Sequence, residues 1–284
     1  MKKIGVLKCG NIASSPLFEL LLDELGDRQD LKTRTVTTGS KMSVEDVEEV
    51  LPKLFEFKPD ALVLISPNPS LPGPRRARKN FCESGIPSVV ISDAPGKSVT
   101  DELQKQGMGY MIITGDPLIG ARREFLDPEE MAIFNSNMIK VLAITGVYRI
   151  IYTEIDKLIR AIQSGKKLIL PSLIVDLNSI QNNLEFANPY ARAKAMAAYA
   201  LAERIADINF RACFVEKESG KYIQLVASTH EIAQAAAKLA EEAREIEKCA
   251  DTLLRKPHAK DGRIKVKTKL MLPPTQAEDS QEKI

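Results

Sequence analysis

Ala61-Leu62-Val63-Leu64-Ile65 is an unbroken apolar run. Alternate side chains of a strand point to opposite faces, so such a run suits a parallel strand covered on both sides. Ser88-Val89-Val90-Ile91 and Tyr110-Met111-Ile112-Ile113 repeat the pattern downstream. Upstream, Ile4 to Leu7 is a short apolar strand ending at Cys9-Gly10, and Thr33 to Thr37 alternates as a strand does. Helical patterns lie between them. One starts near Pro16, capped by Ser15, with Leu17, Leu20, Leu21 and Leu25 on one face; another starts at Ser43, with Glu45 and Asp46 in its first turn. Five strands alternating with helices predict an α/β fold: a parallel, doubly wound sheet with helices on both faces. Strand order is not readable from the pattern.

The period changes at Asp127. Asp127 can cap, Pro128 suits a first helical position, and Glu129 and Glu130 complement the positive helix end. Ile151, Ile155, Leu158, Ile159 and Ile162 form a helical stripe closed by Gly165. Asn188-Pro189 opens a helix rich in alanine, whose small side chains allow close packing. Cys213-Phe214-Val215 and Tyr222 to Val226 flank Ser219-Gly220 and read as a hairpin. Ser228 and Glu231 have capping-box spacing and are expected to start a long helix. Its apolar positions Ile232, Ala236, Leu239, Ala243, Ile246, Ala250 and Leu253 form a seam for this chain or for another subunit. Ile264-Lys265-Val266-Lys267-Thr268-Lys269 alternates and needs a sheet or a partner, so an arm across a subunit interface is expected. The predicted organisation is an α/β domain with ligand-binding loops over 1–126, a helical bundle over 127–210, and a hairpin, long helix and small C-terminal β or arm segment over 211–284.

Composition removes several classes. With 44% hydrophobic and 27% charged residues, the 284-residue chain has ordinary globular balance. A net charge of +2 is too small for nucleic acid or an anionic membrane to be a whole-surface partner. No stretch approaches the length of a membrane span, and Met1-Lys2-Lys3 leads into a strand and not a signal peptide, so a cytoplasmic location is expected. Cys9, Cys82, Cys213 and Cys249 are scattered without a C-x-x-C, which argues against a zinc or iron–sulfur site. His230 and His258 are the only histidines, one expected in the first turn of its helix and the other in an exposed loop.

Ligands of open parallel sheets lie beyond the carboxyl ends of the strands. The loops there are Cys9-Gly10-Asn11, Thr38-Gly39-Ser40, Ser66-Pro67-Asn68-Pro69, Asp93-Ala94-Pro95-Gly96 and Gly115-Asp116-Pro117. The first is not G-x-G-x-x-G, and the second strand ends in Thr37-Thr38-Gly39 without the acid that holds a dinucleotide ribose. NAD, NADP and a P-loop nucleotide are therefore disfavoured. Pro67, Pro69, Pro72 and Pro74 stiffen one loop. Arg75, Arg76, Arg78 and Lys79 follow it, and Arg122 and Arg123 lie further on; each cluster either meets an anionic ligand or forms ordinary surface salt bridges. Cys9 reads as a small buried hydrophobe before it reads as a nucleophile. Asp93 ends a buried strand, where it serves as a turn cap or as a functional carboxylate.

Taken together, Lys8-Cys9-Gly10-Asn11, Pro67-Asn68-Pro69 through Pro74, Asp93-Ala94-Pro95-Gly96, Gly120-Ala121-Arg122-Arg123-Glu124-Phe125-Leu126-Asp127-Pro128, Cys213-Phe214-Val215-Glu216 and Pro257-His258-Ala259 resemble the coenzyme F-420-dependent methylenetetrahydromethanopterin dehydrogenases of methanogenic and related archaea. The likeness runs from Ile4 to about Met271, and the polar tail from Pro273 is the least similar part. The resemblance implies an oxidoreductase of methanogenesis and one-carbon metabolism. Hydride would pass reversibly between reduced coenzyme F-420, an 8-hydroxy-5-deazaflavin, and cationic methenyltetrahydromethanopterin, giving the methylene form. It further implies a homohexamer built as a trimer of dimers, a reversibly bound cosubstrate, and neither metal nor flavin. No side chain need react, so Cys9, Gly10, Asn11, Ser66, Pro67, Asn68, Asp93, Ala94, Pro95, Arg122 and Arg123 are expected to bind and position the two ligands, Asp93 adding electrostatic stabilisation. The rival from another class is a non-catalytic α/β binding module for a phosphorylated metabolite. A second rival is an NAD-linked dehydrogenase of a one-carbon carrier.

Overall fold

The apolar runs form the expected sheet. In the computed structural model, which describes residues 1–117, 127–165, 168–273 and 275–276, β1 (Lys2–Lys8), β2 (Leu31–Thr37), β3 (Ala61–Ser66), β4 (Ser88–Asp93) and β5 (Gly109–Ile113) pair in parallel in the order β2-β1-β3-β4-β5. The helices between them are α1 (Ser14–Glu24), α2 (Val44–Glu56), α3 (Pro72–Ser84) and α4 (Thr100–Lys105). Ser43 caps α2 by accepting from the amide of Asp46. Asp127 caps α5 (Pro128–Ile144) in the same way through Glu130.

Side-chain alternation divides the core. Ile4, Val6, Val63, Ile65, Val89, Ile91, Met111 and Ile113 face one layer, where they meet α1, α5, α6 (Val147–Ser164), α8 (Pro189–Phe210) and α9 (Ser219–Cys249). Leu7, Leu62, Leu64, Val90 and Ile112 face the other, against α2, α3 and α4. Each fully buried side chain of this size contributes about 1.5–3 kcal/mol. In the first layer α8 presents Ala191, Ala195, Ala198 and Ala202, while α9 presents Ala233, Ala236, Ala237, Ala240 and Ala243, all buried. The expected α9 seam therefore packs within this chain, with Ile232, Leu239 and Ile246 half-buried beside it.

Several expectations change. A sixth strand, β6 (Ser172–Val175), joins the edge of the sheet beside β5 from within the segment read as helical bundle; α7 (Leu177–Asn183) follows it. Four residues are too few to show a period. The hairpin is absent. Arg211–Val215 is a π-helical turn continuing α8, and α9 already begins at Ser219. Tyr222, Ile223, Leu225 and Val226 satisfy helical spacing as well as strand spacing, and burial of Tyr222 and Val226 against Ala212 decides for the helix. Ser228 consequently lies inside α9, its hydroxyl donating to the carbonyl of Leu225. His230 is not in a first turn either: its ring stacks on Phe134 at 4.7 Å.

The C-terminal segment, expected to be an arm across a subunit interface, pairs with this chain over its described residues. Arg255 and Lys267 exchange backbone hydrogen bonds of 2.8 and 2.9 Å, and the amide of Lys265 donates to Pro257. Within this stretch, β7 (Lys265–Val266) pairs antiparallel with β8 (Thr275–Gln276). The His258 side chain is covered and not exposed: its ring lies 2.9 Å from the Tyr152 hydroxyl and 3.3 Å from Asp156 Oδ1. Arg28 and Arg160 meet the same carboxylate.

Candidate functional site

The chain steps from β1 outward to β2, then back across β1 to β3, so the loops leaving β1 and β3 diverge at the carboxyl edge of the sheet. Such a reversal opens a crevice. The floor of that crevice is rigid. Gly10 has φ +86, and a Cβ there would lie 2.9 Å from Pro67 Cδ and 2.8 Å from Met42 Sδ, so the first and third loops touch. The amide of Cys9 donates to Ile65, and that of Gly10 to Gly39. Cys9 is fully buried, and burial pushes its thiol up to about 11. A thiol so placed is core packing and not a nucleophile. Ser66 is also fully buried. Asn68 Oδ1 accepts from both the amide and the hydroxyl of Ser70, which fixes the proline loop locally.

The basic cluster after that loop resolves into separate roles. Arg78 is fully buried; its Nε donates to the Pro69 carbonyl at 2.9 Å, and its Nη1 lies 3.3 Å from Glu102. It braces the loop from beneath. Arg76 pairs with Glu48 and Lys79 with Glu83, while Arg75 is exposed.

Asp93 is the carboxylate at the centre. It closes β4, is 4% exposed, and accepts from the amide of Ala94 at 2.5 Å as the chain enters a 3-10 turn over Ala94–Val99. With Asn68, Ala94, Pro95 and Ser98 it lines a cleft of about 400 Å³, closed on the far side by Ala206, Asp207 and Phe210 of α8. Burial pushes the Asp93 carboxyl well above its usual range; Asp116 and Asp207 add to this, while the Ala94 amide and Lys97 oppose it. Asp116, also fully buried, is raised to about 7, again mainly by burial. Close by, Thr114 donates to Glu203 at 2.6 Å, and the Tyr199 hydroxyl donates to Val175 and accepts from the amide of Gly115.

Of the residues singled out in the sequence, the structure brings Asn68, Asp93, Ala94 and Pro95 together around one cleft. Cys9, Gly10, Asn11, Ser66 and Pro67 sit at the neighbouring switch point and do not line it. Arg122 and Arg123 lie outside the described residues. Sequence reasoning missed the wall on α8, because Ala206, Asp207 and Phe210 sit in a helix whose alanines signalled only packing. Apolar Ala94, Pro95, Ala206 and Phe210 with a few polar groups suit a small organic ligand oriented by sparse hydrogen bonds. Among the described residues no group of His, Cys, Asp or Glu is arranged to hold a metal ion, and no helix is long and apolar enough to cross a membrane.

The chain is similar to known proteins over nearly its whole length. A family model for methylene-5,6,7,8-tetrahydromethanopterin dehydrogenase matches residues 2–275. The F420-dependent methylenetetrahydromethanopterin dehydrogenase of Archaeoglobus fulgidus is 53% identical over 96% of this chain and 98% of its own length. That of Methanococcus vannielii is 52% identical over 96% and 99%. A solved structure of an F420-dependent methylene-tetrahydromethanopterin dehydrogenase, in complex with methylene-tetrahydromethanopterin and coenzyme F420, superposes with a TM-score of 0.90 at 45% identity, covering 96% of this chain and 99% of the other.

Proposed function

The chain belongs to the methylene-5,6,7,8-tetrahydromethanopterin dehydrogenase family, and from that membership we infer that it is an oxidoreductase using coenzyme F420 to interconvert methylene- and methenyltetrahydromethanopterin. One observation carries this reading: identity of about half the residues with F420-dependent dehydrogenases along nearly the whole of both chains. A binding module for a phosphorylated metabolite would account for a cleft but not for that identity. An NAD-linked enzyme is opposed by the first loop and by Thr37-Thr38-Gly39 at the end of β2.

The deazaflavin, when bound, supplies or accepts the hydride. The protein's part is to hold two ring faces at about 3–3.5 Å and exclude water, which requires stiffness and not a reacting side chain. Pro67, Pro69, Pro72 and Pro74, braced by Arg78, make the rim stiff. We assign Asn68, Ala94 and Pro95 to ring contacts, together with Ala206 and Phe210 opposite. Cys9 and Ser66 support the two loops from beneath, and Gly10, Asn11 and Pro67, with Arg122 and Arg123, are assigned to the remainder of the two ligands. Loss of hydride from a neutral N–CH2–N carbon leaves an amidinium cation, and Asp93 is the carboxylate placed to stabilise it.

We further propose a cytoplasmic homohexamer, a trimer of dimers, acting in methanogenic one-carbon metabolism. Exposed Phe214, Val215, Leu270, Met271 and Leu272 support self-association. The reaction is tested by mixing the purified protein with oxidised deazaflavin and methylenetetrahydromethanopterin: the coenzyme's absorbance should fall. Unchanged absorbance, with NAD or NADP reduced in its place, would overturn the reading. Sedimentation analysis tests the assembly separately.

A further inference from the structure

Asp116 does not line the cleft, yet it lies near Asp93 at the same end of the sheet, its amide donating to Ile113, the register partner of Asp93. Asp93 is opposite Ile113 in the register of β4 with β5, so Thr114, Gly115 and Asp116 run on across the end of the sheet beside it. Asp93 follows Val89 and Ile91 in alternation, onto the face covered by α1, α8 and α9. Asp116 comes to the same face. Its Oδ1 accepts from the amide of Ser14 at the start of α1 (3.0 Å), and the preceding Gly115 donates to Tyr199 of α8 (3.2 Å). Asp116 is 0% exposed, and its Oδ2 is buried with no hydrogen-bond partner among the described residues.

The groups facing this pair can be named element by element. From α8 come Tyr199, Glu203, which takes the hydrogen bond of Thr114, and Asp207, which lies 3.8 Å from Arg204. From the 3-10 turn after β4 comes Lys97. Carboxylates thus outnumber cations at this corner among the described residues.

We propose that Asp116 is a positioning residue acting through Asp93: the two buried carboxyl groups hold one proton between them, and the cleft releases it to solvent when a cationic one-carbon carrier enters. The oxidised, amidinium form of the carrier is then bound in preference to the neutral reduced form, and the preference is set by pH. This rests on the dehydrogenase reading, which supplies the cation. Burial raises both carboxyl groups, and Asp116 adds to the rise at Asp93.

Calorimetric titration of the wild-type protein with methenyl- and with methylenetetrahydromethanopterin, in buffers of different ionisation enthalpy, tests this. About one proton should leave per cationic carrier bound and none per neutral carrier. Affinity for the cation should rise by up to about tenfold per pH unit below the midpoint, while affinity for the neutral form stays flat. Asp116→Asn keeps an oxygen for the Ser14 amide but removes the repulsion, so the midpoint should move to lower pH; Asp93→Asn should flatten the profile. Should Asp116→Asn fail to fold, proton release by the wild type decides alone. Cation binding without proton release, or an Asp116→Asn profile with the wild-type midpoint, overturns the proposal. Deazaflavin bleaching by a protein whose binding titrations show no proton release defeats only this inference, whereas absence of bleaching defeats the dehydrogenase reading beneath it.

Discussion

His258 Nε2 lies 3.3 Å from Asp156 Oδ1, fastening the C-terminal segment to α6. The same carboxylate receives Nη1 of Arg28 at 3.3 Å and Nε of Arg160 at 2.5 Å. Burial raises the Asp156 carboxyl, but hydrogen bonds from His258 and Arg160 and their charges outweigh it and hold the group below its usual range. Asp156→Asn would leave the Arg28 side chain, 2% exposed, short of a partner. Breaking a buried charge pair from one side costs about 3–5 kcal/mol, and the two bonds that Asp30 keeps to Arg28 bring the loss below that figure. The urea midpoint at neutral pH should fall accordingly, and an unchanged midpoint would show that the segment is held by other contacts.

Asp30 accepts two hydrogen bonds from Arg28 and one from Gln163, and the Arg28 bond above all lowers it to about 2. Its folded value lies below the ordinary 3.8, so its contribution is complete above 3.8 and is lost as pH falls towards about 2. Unfolding followed from pH 5 downwards, at intervals of about half a unit, should show stability declining through that window. Asp30→Asn should flatten the decline there; an identical slope in both proteins would contradict the assignment.

Because burial raises the Cys9 thiol to about 11, iodoacetamide at neutral pH should leave it unmodified in the native protein, while exposed Cys82 and Cys249 react. Peptide mass mapping reads this directly. Cys9→Ala should retain turnover within a few-fold and lose about 1 kcal/mol of stability. Rapid labelling of Cys9 would mean the strand end is open.

Gly73 packs against the carbonyls of Met42 and Ser43, and a Cβ would come within 2.5 Å of the Ser43 oxygen. Its amide also donates to Met42 at 3.1 Å. Backbone cannot give way as a flexible side chain can, so Gly73→Ala should cost about 1–3 kcal/mol or more. Gly10→Ala adds a left-handed φ to contacts with Met42 and Pro67, and should lower both stability and ligand affinity. Thermal unfolding with and without ligands separates the two effects.

Asp93→Asn removes the carboxylate from the cleft while the side chain keeps an oxygen for the Ala94 amide. Loss of one preorganised electrostatic group costs about 10²–10³ in kcat. Steady-state rates with saturating deazaflavin measure it. Unchanged turnover and carrier affinity would remove Asp93 from the mechanism.

Five strands and their parallel class were legible because their apolar runs leave few alternatives to double coverage. The caps Ser43 and Asp127 were legible because a single side chain and a neighbouring amide make them. β6 was not, being four residues with two exposed side chains. The false hairpin arose where Tyr222 to Val226 satisfied two periods at once. Of the cleft, the sheet-side residues Asn68, Asp93, Ala94 and Pro95 could be found because strand ends locate them. Asp207 and Phe210 could not, since their relevance depends on how α8 crosses the sheet. Asp116 stood in a loop counted among the strand ends, but its pairing with Ser14, 102 residues away in sequence, was invisible there.

The alanine seam between α8 and α9 reaches beyond packing. The wall opposite Asp93 belongs to α8, so methyl-sized side chains such as Ala195 and Ala198, remote from the opening, act as a shim that gauges its width. Hydride transfer falls off steeply with separation. Enlarging one of those methyls would therefore slow the reaction by displacing that wall, with every ligand contact chemically intact.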